Sequence, residues 1–175
     1  MQTLYTLESV LNMETPREQF LVKLKDNIYG IRFKGFKLRD CDTHEIYNNF
    51  ETDNVFELDY FADHVLNYEF PQKILKAKVL GSNLKLVVGD QFVQNLDLVE
   101  RHFVDDKLVA NYKFNFPIFM PNSENNIEFI YSVPTLSEET KKKMETGQVV
   151  EAKSDTFIFV GGNLIIHRRA EYRYE

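Results

Sequence analysis

Residues 96–116 read LDLVERHFVDDKLVANYKFNF, and the alternation within them decides the fold class. Leu96, Leu98, Glu100, His102 and Val104 share one parity, with Asp97, Arg101 and Asp105 on the other; past the turn, Ala110, Tyr112, Phe114 and Phe116 stand against Asn111, Lys113 and Asn115. A period of two in both runs is the mark of half-buried strands. A three-residue loop over Asp105 to Lys107 lets the two apolar faces coincide, setting Glu100 opposite Tyr112 and His102 opposite Ala110.

The same short runs, parted by turn residues, continue from Ile28 to the end of the 175 residues and predict an antiparallel two-sheet β-sandwich of roughly eight or nine strands. In IYGIRFKGFKLRD, the parity slips at Gly35. Either a β-bulge turns Ile31, Phe33, Phe36 and Leu38 all inward, or the segment is a kinked edge strand. Turns are expected at Gly81-Ser82, Gly89-Asp90 and Asp105 to Lys107, a long loop over Glu51 to Asp63, and a capped polar helix from Ser137 to Thr146. A final hairpin turns at Gly161-Gly162-Asn163 and points Leu164, Ile166, Ala170, Tyr172 and Tyr174 inward, with Arg168 breaking that face. Ahead of the sandwich, Thr15, Pro16 and Glu18 make a capping box that predicts a helix over 16–25. The domain reading is therefore a helical segment over 1–27 and one sandwich over 28–175.

Composition narrows the function. There are 21 basic against 27 acidic residues, a net charge of −6, and no basic stripe, which argues against nucleic acid and anionic membrane surfaces as partners. Cys41 is the only cysteine, so neither an internal disulfide nor a thiolate metal site can form. No signal peptide and no apolar run of membrane-spanning length is visible, so a soluble, cytoplasmic chain without stable membrane insertion is expected.

Glu100 and His102 are the one suggestive pair. An unpaired carboxylate on an inward face costs several kcal/mol, so Glu100 needs a partner, a raised pKa or a ligand. A Tyr112–Glu100 hydrogen bond and a ligand-binding role both meet that need. Catalysis needs more than these two groups. No nucleophile elbow, HExxH, CxxC, P-loop or GxGxxG is present, and His44, His64 and His167 sit at no metal-ligand spacing to His102. No enzyme activity, cofactor or metal is expected. Aromatic residues make up 14% of the chain, with 15 Phe and 9 Tyr, enough either to fill a sandwich core or to line an apolar slot within it.

Longer motifs go further. The runs GDQFVQNLDLVERHF, FPIFMPNSENN, IYSVPTLSEE, SDTFIFV and IIHRRAEYRY together resemble the GMP phosphodiesterase delta-subunit family, and within it the uncoordinated-type branch that carries N-myristoylated proteins. The resemblance runs from about Thr6 to Tyr174. It implies an all-β, immunoglobulin-like sandwich with an apolar lipid pocket between its sheets. It assigns lipid and peptide binding to Phe36, Tyr68, Phe70, Ile74, Glu100, His102, Tyr112, Phe114, Tyr131, Val133, Ile158 and Tyr172, with Glu100 accepting hydrogen bonds near the lipidated glycine. It also implies N-myristoylated clients (G-protein alpha subunits, Src-type kinases or ciliary cargo), release by an Arf-like GTPase, and a cytoplasmic, ciliary or flagellar setting. This chain departs from the branch at Ile74 and Val133, where Phe is usual, at Ile158, where Tyr is, and at Pro117, where Gly is. Alternation in KILKAKV favours Leu75, Ala77 and Val79 as the inward set, whereas the resemblance selects Ile74; a bend just after Pro71 would reconcile them.

Overall fold

A computed structural model describes residues 5–175, apart from the side chains at positions 56, 60 and 61. Among the described residues, nine strands make two facing sheets. The first holds β1 (Arg32–Asp40), β2 (Ile46–Glu51), β4 (Val79–Val87) and β7 (Glu124–Ser132) in the order β2-β1-β4-β7. The second holds β3 (Leu66–Phe70), β5 (Val93–Val104), β6 (Lys107–Phe119), β8 (Val150–Val160) and β9 (Asn163–Tyr174) in the order β3-β9-β8-β5-β6. Pairing is antiparallel except between β3 and β9. Among the described residues three short α-helices, α1 (Leu7–Leu11), α2 (Val55–Asp63) and α3 (Glu138–Glu145), and 3-10 turns over Leu24–Asp26 and Gln72–Lys76 complete the fold.

One end of the space between the sheets is filled. Leu86, Leu96, Leu98, Ile127, Ile158 and Ile166 pack there with Ile31 and Val93, all buried, each contributing roughly 1.5–3 kcal/mol. The strands register as their inward faces require: Glu100 lies opposite Tyr112 and His102 opposite Ala110. The connection differs in detail. Asp105 and Asp106 both adopt left-handed φ, 50° and 58°, so the turn has two residues and closes on the pair Val104 and Lys107. A register shift between His102 and Phe103 then absorbs one residue, which restores the even-sum pairing. In β1 the shift falls between Phe33 and Gly35, at Lys34, and this bulge keeps Ile31, Phe33, Phe36 and Leu38 inward.

Four expectations are corrected. No helix spans 16–25; the helix is α1, where Thr6 and Ser9 form the capping box. The following segment is a strap across the outer face of the five-stranded sheet, and side chains of that sheet take its polar groups. Arg101 donates to the carbonyls of Leu11 (2.6 Å) and Met13, the Arg17 amide donates to Asp155 Oδ2 at 2.8 Å, and the Leu21 amide donates to His167 Nδ1 at 3.1 Å. The Leu21 amide would lie inside the predicted helix, so this bond and the helix exclude one another. Since His167 Nδ1 accepts, the ring's proton sits on Nε2, which donates to Asp155 Oδ1 at 2.9 Å.

The stretch 51–63 is not all loop. It contains α2, tied to β1 by the ion pair Arg32–Asp59 at 2.8 Å and anchored by the buried Leu58; a helix with so few described anchors gives little periodicity. Gly81-Ser82 is not a turn either, because β4 runs straight through it. A Cβ on Gly81 would meet the Arg39 guanidinium carbon at 3.2 Å, so glycine here makes room for a cross-strand arginine that reaches Glu128 at 2.7 Å. Finally, a register shift between Ile158 and Phe159 turns Leu164 to the outer face beside Val10, Val99, Phe157 and Phe159, while Arg168 stays in the inward row.

A candidate ligand-binding cavity between the sheets

Beyond the filled core the sheets part around a cavity of about 590 Å³, inside the range of roughly 300–1,000 Å³ typical of small-molecule sites. The inner face of the five-stranded sheet meets it in cross-strand rows. Lowest is Phe114, Leu98, Ile158 and Ile166, which tops the dry core. Above it runs Tyr112, Glu100, Thr156 and Arg168, then Ala110, His102, Ser154 and Ala170, then the row holding Ala152, Tyr172 and Tyr68. Parallel pairing of β3 with β9 stacks Tyr68 on Tyr172 at 5.5 Å and sets Phe70 against Tyr174 at 6.2 Å. The opposite sheet supplies Phe33, Phe36, Leu38, Leu80, Ser82, Leu84, Phe129 and Tyr131. On the β2 side, Phe50 is 39% exposed yet lines the cavity, so the space reaches the surface there. On the β6 side, Phe114 packs on Phe129 at 4.4 Å and the Tyr112 hydroxyl donates to the Ser132 carbonyl at 2.6 Å, tying β6 to β7 across the gap.

Residues 25–174 match the family model described as the delta subunit of GMP-PDE. The chain belongs to the GMP-PDE delta-subunit family. It is 35% identical to Protein unc-119 homolog B-A of Xenopus laevis over 95% of this chain and 72% of that protein. Identity to the human Protein unc-119 homolog B is 33%, over 95% and 70% of the two chains. Identity to Protein unc-119 of Caenorhabditis elegans is also 33%, over 97% and 80%.

Within this delta-subunit fold, Phe36, Tyr68, Phe70, Ile74, Glu100, His102, Tyr112, Phe114, Tyr131, Val133 and Tyr172 all line the one cavity. Ile158 does not. It sits one row below Thr156, 1% exposed, in the packed core. Ile74 is brought in by a 3-10 turn over Gln72–Lys76 that begins directly after Pro71, so Ile74 and Leu75 both reach the cavity. Arg168, Thr156 and Ser154 also line it, though the resemblance assigned them no role; the signal for Arg168 was its inward parity between Ile166 and Ala170.

Glu100 is partnered, though not by Tyr112, whose hydroxyl is committed to Ser132. Its Oε1 accepts from Thr156 Oγ1 at 2.9 Å, and its Oε2 from His102 Nε2 at 3.1 Å, with both side chains about a quarter exposed, 25% and 26%. The tyrosines and the arginine around this pair are deeply buried. Burial pushes the phenols of Tyr68, Tyr131, Tyr172 and Tyr174 above their ordinary pKa, and for the first three the Glu100 carboxylate adds to the effect. Burial pulls the Arg168 guanidinium down, opposed by Tyr68, Glu100 and Tyr172. The Tyr172 hydroxyl bonds Ser154 Oγ at 2.9 Å. The site is thus a ring-walled slot crossed by two adjoining rows that carry Glu100, Thr156, Arg168, His102 and Ser154, able to enclose an apolar chain and to bind a polar head beside it. Among the described residues no group of three or more His, Cys, Asp or Glu is arranged to hold a metal ion.

Proposed function

We propose that the chain is a non-enzymatic carrier that takes the N-terminal myristoyl group of an acylated protein into the inter-sheet cavity and shields it from water. The observation that carries this reading is the cavity itself, about 590 Å³ of unfilled space walled by aromatic and aliphatic side chains in a family member. Transferring a fourteen-carbon acyl chain out of water releases roughly 10 kcal/mol at about 0.8 kcal/mol per methylene. One such chain holds a protein to a bilayer only marginally, so a pocket of similar apolarity competes with the membrane. Glu100 serves the polar end by accepting hydrogen bonds from the backbone at the lipidated glycine. Ile74 and Val133, in the cavity wall where the branch usually carries Phe, leave extra room, so chains longer than myristoyl are tolerated.

By the same resemblance, the clients are N-myristoylated signalling or ciliary proteins, and the GTP form of an Arf-like protein drives their release in the cytoplasm or cilium. A prenyl carrier of the same fold is the nearest other reading. A filled sandwich serving only as an interaction module leaves the cavity without purpose. Fluorescence titration with a myristoylated glycine peptide, a farnesylated peptide and the unlipidated control separates the three. The expected result is tight binding of the first alone, and faster release once a GTP-locked Arf-like protein is added. Equal affinity for all three peptides would defeat both carrier readings, and unchanged release would defeat the GTPase step.

A further inference from the structure

We infer that the open edge of β2 is the docking strand for the client's own chain: a basic, extended segment a few residues past the acylated glycine pairs with it as a fifth strand of the smaller sheet. This inference rests on the carrier reading above and deepens it from the lipid to the protein that bears the lipid.

β2 stands at the end of the order β2-β1-β4-β7, so one of its edges has no strand beside it among the described residues. Which backbone groups face that edge follows from the pairing. Phe36 lies opposite Phe50 and Leu38 opposite Asn48, and the Thr52 amide donates to the Lys34 carbonyl at 2.8 Å in the same register. Thr52, Phe50 and Asn48 therefore turn their N–H and C=O toward β1, and the alternate residues Asn49 and Glu51 turn theirs to the open side. A Cβ on Gly35 would meet the Phe50 carbonyl oxygen at 3.1 Å, which places that oxygen on the β1 side as the alternation requires. The other edges carry obstacles. β6 has Lys107, Lys113 and Pro117, β3 has five residues, and the Ser132 carbonyl of β7 is taken by Tyr112. β2 reads IYNNFE, with no lysine, proline or glycine.

The same strand forms one lip of the cavity. Asn48 and Phe50 line it from β2, and Val65, Leu66 and Asn67 line it from the facing edge of the other sheet. In the order β3-β9-β8-β5, Glu100 on β5 stands three strand spacings, roughly 14 Å, from that opening. At about 3.3–3.6 Å per extended residue, about four residues carry a chain from Glu100 to the lip. Later residues then emerge alongside β2, where the N–H and C=O groups of Asn49 and Glu51 offer a ladder. Charge favours a basic segment there. Residues 40–72, which include β2, α2 and β3, hold nine Asp and Glu and no Lys or Arg. Glu45, Glu51, Asp53 and Asp59 pair with cations from other segments, whereas the exposed Glu57 and Glu69 have none within ion-pair distance among the described residues.

The test uses myristoyl-glycine peptides of four and ten residues, the longer with alternating lysine and threonine after the fourth. Amide hydrogen exchange at Asn49 and Glu51 should slow more than about tenfold with the ten-residue peptide and less than about twofold with the four-residue one. Single N-methylation along peptide residues 5–10 should weaken binding about 3- to 10-fold at every second position, the signature of a ladder. A version with glutamate in place of lysine should bind roughly tenfold more weakly at low salt. These readouts need no variant. Asn49→Pro, whose lost N–H faces the open side, should bring the ten-residue peptide down to the affinity of the four-residue one and leave the latter unchanged, which also shows that the variant is folded. Unprotected Asn49 and Glu51, losses without alternation, or a glutamate version that binds as tightly as the lysine one would overturn the inference and leave the carrier reading standing. Protection of these amides without peptide, rising with the concentration of the chain, would give the edge to a second copy and overturn it too. Failure of the wild-type chain to bind even the four-residue peptide would sink this inference together with the carrier reading.

Discussion

Ser82→Trp should lower the affinity for a myristoylated peptide by more than about a hundredfold while moving stability by less than about 1.5 kcal/mol. Ser82 lies in β4, 9% exposed, and faces the cavity between Leu80 and Leu84, with Leu38 and Phe129 as its cross-strand neighbours. An indole there occupies space the acyl chain needs. Displacing four or five methylenes forfeits about 3–4 kcal/mol at about 0.8 kcal/mol each, more than two decades of affinity. The same substitution in a filled core would overpack and destabilise. The two measurements must therefore be made together: affinity by titration, and stability by the urea midpoint. The chain has no tryptophan, so the new indole is also a unique fluorophore for the cavity interior. Undiminished affinity would place the bound chain elsewhere, and a large loss of stability would mean that the space is not open in solution.

Glu100→Ala should weaken the myristoylated peptide by about 10- to 100-fold, the worth of hydrogen bonds to one charged acceptor, and should cost the fold less. The carboxylate takes bonds from Thr156 and His102, but it is a quarter exposed and both donors can turn to water or to each other's surroundings in its absence. Tyr112 is unaffected, because its hydroxyl holds Ser132. Titration of the variant beside its denaturation curve decides the matter. A variant that unfolds readily yet binds normally when folded would make Glu100 a structural residue.

How far the sequence carried the reader depended on whether period-two alternation survived. In β5 and β6 it did, so the Glu100–Tyr112 register and the inward row were legible from residues 96–116 alone. Where a bulge or a glycine serving a neighbour intervened, local signals misled. Gly81 looks like a turn residue because its true cause, the guanidinium of Arg39, comes from another strand. Leu164 changes faces because β9 slips one residue against β8. The Thr15–Glu18 box is a sound helix signal, but the sheet's outer face supplies Asp155, His167 and Arg101 to the strap, and those tertiary partners outweigh one capping box.

The site was legible in a different sense. Alternation could mark inward residues without saying whether they filled the core or lined a space; the family motifs supplied the grouping, and the rows explain its limits. Ile158 shares parity with the cavity residues and differs only in lying one row deeper. Arg168 looked like an interruption of an apolar face, which is how a polar residue lining a cavity reads when the cavity itself is invisible.

The most direct test of the carrier account is extraction from membranes. A fluorescent myristoylated glycine peptide is first bound to neutral phospholipid vesicles, the chain is added, and peptide is measured in the supernatant after sedimentation. The account predicts that peptide leaves the vesicles in proportion to added chain, one for one at saturation, and that Ser82→Trp does not release it. Peptide that stays on the vesicles while the chain remains in solution would contradict it.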